Sequence, residues 1–318
     1  MVEAKLKLFS RIRTVSSAAV AVAIALSIVF SQSLGAESLN WQISMAIVAL
    51  AIGIPHGALD HLATLPRSAP LRMAVFIFIY VAIAAAAIYA ILQWNVWGFI
   101  AVVLMSSTHF GIGDAAFLNE LDSLKDPGGS RIPTWVYAPA AGLLPVMIPL
   151  VNERSTSALE KINSALVNWH HGYSSEILIA VAAIATLSLL TLLQRKRFRD
   201  ALDIALLAAL ASFAPPLVAF AVYFGCWHAL RHTARLTSLL PNSESAYLRG
   251  RPGQAFIAAV IPGLPALLGT LIFVALLAGF SHQDISDKFL WLTLVTIWAL
   301  TVPHMLVTAK LDRAALKK

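Results

Sequence analysis

Uninterrupted apolar segments set the limits on what this chain can become. Val15–Phe30, Met73–Leu92, Ile177–Leu193 and Ala255–Phe280 approach or exceed the roughly 20 apolar residues that a helix needs to cross a hydrocarbon layer. Within them Ala, Leu, Ile and Val follow one another without the period-two alternation of a transmembrane β-barrel. An ordinary soluble domain is about 45–50% apolar and about 25% charged. Here 59% of the 318 residues are hydrophobic and 12% are charged. The expected fold class is therefore all-α: a polytopic transmembrane helix bundle, one domain over residues 1–318. The polar connections 119–132 and 152–174 are too short to hold a second core.

The pattern predicts about ten helices, near 15–34, 40–62, 72–93, 96–117, 133–151, 175–194, 199–213, 215–237, 254–280 and 286–311. Between Ser212 and Pro216 two prolines remove backbone donors, so one kinked helix and two short ones both fit, and nine spans compete with ten. Basic residues supply the orientation. Lys5, Lys7, Arg11 and Arg13 place the N-terminus in the cytoplasm, and ten spans put the later Lys/Arg clusters on that side too. Both termini are then cytoplasmic, and the outward connections hold only Arg154, Lys161 and Lys288. The net charge of +7 reads as topology in a lipid bilayer, not as nucleic-acid binding, and the expected location is the cell inner membrane, multi-pass. The basic start and apolar middle of the first span also fit a signal peptide, although Leu34-Gly35-Ala36 is an unconvincing cleavage site. The single cysteine, Cys226, excludes an intrachain disulfide and a cysteine-built metal site.

Histidine carries the chemistry. Of nine histidines, six fall in one layer near the cytoplasmic ends of four spans: His56 and His61 in GIPHGALDHL, His109 in STHFGIGDAAF, His228 and His232 in CWHALRH, and His304 in TVPHMLV. Ionisable groups are costly inside a bilayer, which makes these residues functional candidates by default. His228 and His232, four apart, lie on one helical face and can share a metal ion. Asp60 stands four residues after His56, and Asp114 five after His109; either carboxylate can hold a ligating imidazole by its far nitrogen. Imidazoles without thiolates suit Fe, Zn, Cu or Ni. His61 and His304 are expected mainly behind the ligands or at an interface, and His170, His171 and His282 in outward loops. Arg231 and Arg235 are expected to snorkel to the headgroups. Tyr223, Phe224, Trp227, Phe110 and Phe117 either pack the bundle or wall a substrate tunnel. Gly57, Gly111 and Gly113 permit close helix approach.

Taken in order, PHGALDHL, THFGIGD, YFGCWHALRH and PHMLV resemble the motifs of the Brp/Blh family of integral-membrane β-carotene 15,15′-dioxygenases. The resemblance implies a transmembrane catalytic domain with a non-haem Fe(II) cofactor, which uses O2 to cleave β-carotene centrally into two all-trans-retinal. It further implies that the product supplies a microbial rhodopsin, and that the iron ligands fall on His56, His109, His228 and His232. Asp60, Asp114, His61 and His304 would stand behind them, and Tyr223, Phe224 and Trp227 would shape a tunnel reached sideways from the bilayer. Rival classes fit less well. A di-iron hydroxylase or desaturase needs several HxxxH and HxxHH boxes, and this chain has one HxxxH and no HxxHH. A haem-binding electron carrier would show a Soret band. A proton-coupled transporter would place its ionisable groups near the midplane.

Overall fold

The computed structural model describes residues 1–35, 38–60, 70–265, 267–269, 272 and 287–317. Among the described residues every regular element is a helix. Helix α1 (Val2–Phe30) continues through a π-turn at Ser31–Gly35, and α2 (Leu39–Gly53) tightens into a 3-10 turn at Ile54–Leu59. Next come α3 (Pro70–Gln93), α4 (Asn95–Lys125), α5 (Thr134–Val151), the short α6 (Glu153–Asn163), α7 (Ser174–Gln194) and α8 (Phe198–Phe213). A composite segment follows: α9 (Pro216–Val222), a π-helical stretch at Tyr223–Ala229, and α10 (Leu230–Leu236). After α11 (Pro241–Leu248) and α12 (Pro252–Val260), α13 (Asp287–Leu316) closes the bundle.

Among the described residues seven helices are long and apolar enough to cross a membrane: Val2–Gly35, Pro70–Gln93, Asn95–Lys125, Thr134–Val151, Ser174–Gln194, Pro252–Gly269 and Leu294–Leu316. The other three expected spans correspond to α2, with 15 residues, α8, with 16, and the composite 216–236. Around Ser212–Pro216 the chain forms two helices, because Ala214 and Pro215 adopt extended ψ values of 147° and 149°. Helix α4 runs past its expected end at 117 to Lys125, since Glu120 and Asp122 find arginine partners on neighbouring helices. His61, Arg67, His282 and most of the second half of the expected span 254–280 lie outside the described residues.

Helix α5 occupies the interior, packed by α4, α7, α8 and α9, while α13 lies along α3 and α4. Lipid is no better a solvent for these helices than their own side chains, so close backbone packing has to supply much of the association. Two crossings show how. A Cβ on Gly111 would stand 2.0 Å from the Ala138 carbonyl oxygen, which fixes how near α4 comes to α5. A Cβ on Gly225 would stand 1.7 Å from the Ala49 carbonyl oxygen, so the π-helical stretch lies directly against α2. That second contact brings the His56 turn beside His228. Gly225→Ala is expected to force the two backbones apart and to cost about 1–3 kcal/mol or more, read as a lower unfolding midpoint of the purified protein in detergent. An unchanged midpoint would contradict the close approach.

Candidate metal centre

Four separate segments deliver histidines to one place. Pro55 opens the 3-10 turn that ends α2 and turns His56 inward, where Nδ1 donates to the Gly53 carbonyl. His109 lies midway along α4, His228 at the end of the π-helical stretch, His232 one turn later on α10, and His304 directly after Pro303 on α13. All five are buried, none more than 5% exposed.

Their rings enclose a common centre. Around a closed cycle, centroids are 5.0 Å apart for His109–His228, 5.8 Å for His228–His232, 5.4 Å for His232–His304 and 5.2 Å for His304–His109. His56 caps this cycle, 5.4, 5.6 and 5.2 Å from His228, His232 and His304. Ring nitrogens of His56, His228 and His304 all lie within 4.8 Å of one another. The π-helical stretch contributes to this arrangement, since its wider turn re-aims side chains and such bulges recur at functional sites. His228 and His232 are left nearly parallel, at 13°.

The donor chemistry fits a divalent first-row metal ion. Nε2 of His109, His228 and His304 and both nitrogens of His232 are buried with no hydrogen-bond partner. Buried polar atoms are rarely left so, and several together on converging imidazoles are what a metal would satisfy. Behind the rings, a carbonyl and a carboxylate can only accept, so His56 and His304 carry their proton on Nδ1 and keep the lone pair on Nε2. For His304 the acceptor is Asp60, 2.9 and 3.0 Å from Nδ1. Thr308 Oγ1 lies 3.5 Å from Nδ1 of His109.

Several positions differ from the sequence reading. Asp60 holds His304 across the bundle, not its own neighbour His56, because His56 already donates to the Gly53 carbonyl. Asp114 turns away from His109, accepting from Tyr137 Oη at 2.6 Å and from Arg231 Nη1 at 2.7 Å. His304 stands in the cluster itself, level with the four histidines expected there. Gly113 and Gly57 face the rings of His228 and His304 and leave them room. Phe224 and Phe110 lie against the cluster, 5.3 Å from His56 and 4.7 Å from His228, and Tyr223 packs on Phe110 at 5.3 Å. Trp227 instead lies under Arg231, whose guanidinium carbon is 3.5 Å from the indole centroid. His170 and His171 sit apart from the cluster, beside Trp169 and Trp97.

The arginines do not reach outward. Arg231 and Arg235 are each 1% exposed, held by acids from other helices. Arg231 pairs with Asp114 and, at 3.3 Å, with Asp203; Arg235 pairs with Glu120 and Asp312. Asp203 also takes Arg13 from α1 at 2.9 Å, and Asp200 links Arg13 to Arg197. Snorkelling fails here because α10 lies inside the bundle and buried carboxylates desolvate more cheaply when paired. The signal was present in the sequence: Asp114, Asp200, Asp203 and Asp312 punctuate otherwise apolar helices and require counter-charges. Tyr80 and Thr308, which support Asp60 and His109, carried no such signal.

A small apolar crevice of about 140 Å3 opens between α4 and α13, lined by Val102, Met105, Ser106, Trp298, Thr301, Val302 and Met305. Met305 adjoins His304 in sequence, and Met105 lies one turn before His109.

Fold and site together define a helical membrane protein in which, among the described residues, five buried histidines converge on one centre. Residues 46–312 match the family described as Beta-carotene 15,15'-dioxygenase, and the chain belongs to that family. It is 28% identical over 285 residues to the Beta-carotene 15,15'-dioxygenase of an uncultured marine bacterium, 66A03, covering 86% of this chain and 94% of the relative. It is also 28% identical over 292 residues to the Probable beta-carotene 15,15'-dioxygenase Blh of Halobacterium salinarum, covering 83% of this chain and 82% of that one. No solved structure matches the chain.

Proposed function

We propose that this chain cleaves β-carotene at its central 15,15′ double bond with O2, releasing two all-trans-retinal, at an Fe(II) centre held by His56, His109, His228 and His232. The observation that carries the reading is the convergence of histidines from four segments, with buried nitrogens of His109, His228, His232 and His304 unpartnered, in a member of this family. Bound there, Fe(II) supplies the one-electron chemistry that lets O2 react with a closed-shell polyene.

The protein's own part is to bind, orient and exclude water. Phe110 and Phe224 present apolar ring faces beside the histidines, against which a polyene can lie flat with its central bond at the cluster. Tyr223 closes that wall behind Phe110. A substrate dissolved in the bilayer would enter sideways between helices, and the apolar crevice between α4 and α13 is the place for that entry in this reading. The cleavage, one polyene and one O2 giving two aldehydes, involves no net proton transfer, so the histidines serve as ligands and not as acids or bases. In this reading the bundle crosses the inner membrane ten times with both termini in the cytoplasm, and retinal passes to a retinal-binding partner such as a microbial rhodopsin.

The test is expression in bacteria that accumulate β-carotene. Cells carrying the chain are expected to lose their orange colour and yield extractable retinal. His109→Ala is expected to insert normally, keep the colour, form no retinal and purify without iron. Normal turnover in that variant would remove the proposal.

A further inference from the structure

We propose that His304 is itself a ligand of this centre, and that Tyr80, acting through Asp60, sets the orientation of its ring. The inference rests on the metal reading above and extends its ligand set.

Three observations converge on His304. Its ring lies 5.2 Å from both His56 and His109 and 5.4 Å from His232, as close as the other histidines lie to one another. Its Nε2 is buried without a partner, and one of its ring nitrogens falls within the 4.8 Å group shared with His56 and His228. A histidine that only tied helices together would have bonded both nitrogens. The opposite nitrogen is committed to the Asp60 carboxylate, the arrangement that fixes tautomer and raises ligand basicity behind metal-bound imidazoles.

Tyr80 completes the chain. Its hydroxyl donates to Asp60 Oδ2 at 3.1 Å and lies 3.4 Å from the Leu300 carbonyl on α13. The rest of α3 is largely turned outward, with Ala84 and Ile91 its buried residues, and this hydroxyl reaches inward to Asp60. The Tyr80 hydroxyl bonds Asp60 and the Leu300 carbonyl, so it is a positioning residue that keeps Asp60 aimed at His304.

Co(II) is the probe, titrated into full-length protein stripped of metal in detergent, with bound metal measured by dialysis and the ligand field by visible absorption. H304A is expected to lower Co(II) affinity by about 100-fold or more and to shift the bands, with added imidazole restoring both. H304Q, which keeps most of the ring's volume, replaces it if H304A does not accumulate. Y80F, which leaves every nitrogen in place, is expected to weaken binding by about tenfold with little change in the bands. Wild-type affinity and bands in the His304 variant, with both lost in H228A, would overturn the role of His304 and leave the metal reading standing. Wild-type binding in both variants would remove the two together.

Discussion

In His228→Ala protein, bound metal and retinal formation are expected to disappear together while the bundle still inserts. His228 is central to the cluster: its ring lies 5.0 Å from His109, 5.4 Å from His56 and 5.8 Å from His232, with Phe110 packed on it at 4.7 Å. Losing a residue behind a ligand typically costs about 10–100-fold in metal affinity or activity, so losing the inner residue is expected to cost more than 100-fold. Insertion survives because α2 and the π-helical stretch meet through Gly225 and Ala49, one turn away from the imidazole. Iron content of purified protein and retinal from β-carotene-accumulating cells are the two readouts. As a contrast, His170→Ala and His171→Ala, outside the cluster, are expected to leave both at the wild-type level. Retinal formation in His228→Ala near that of wild type would defeat the assignment.

Arg231→Met is expected to give the largest loss of stability of any single substitution in the ionic network. The change leaves the rings untouched but strands carboxylates that are 2% and 0% exposed, Asp114 and Asp203. Breaking a buried pair from one side costs about 3–5 kcal/mol, whereas removing both partners costs much less. The two acids share the loss unequally. Asp203 keeps Arg13 and a hydrogen bond from Ser17, while Asp114 keeps only the neutral hydroxyl of Tyr137 among its described partners. The Arg231→Met, Asp114→Asn pair is therefore expected to recover much of the stability, giving a coupling of about 1–3 kcal/mol in a double-mutant cycle. Trp227 loses a stacked cation worth about 2 kcal/mol when desolvated, which the second substitution does not restore. Unfolding midpoints in detergent measure all three proteins. A single variant as stable as wild type would mean that the network contributes no net stability.

How far the site could be read in advance depended on the range of each interaction. Spacing along one helix was legible, because His228 and His232 need only a helical turn to share a face. The layer holding His56, His109 and His304 was legible too, because hydropathy places each at a similar depth along its own helix. Pairings between helices were not. Asp60 was read with its neighbour in sequence, His56, yet bonds across 244 positions to His304. Asp114 likewise went to Arg231, 117 positions away, in place of the adjacent His109. Rotation of a helix about its axis decides such choices, and in a chain that is apolar on nearly every face hydropathy says little about rotation.

What the sequence by itself determined was composition-driven: an all-helical membrane bundle, a histidine layer without thiolates, and motifs distinctive enough to mark the family. Only the tertiary structure decided that His304 stands level with the other four histidines, that Tyr80 supports Asp60, and that Arg231 and Arg235 turn inward to buried acids. The physical reason is the same in each case. Apolar content and helical spacing are properties of a single segment and survive without partners. The direction of a buried polar side chain is set by the complementary group that another helix brings to it, at crossings fixed by contacts as short as Gly225 against the Ala49 carbonyl.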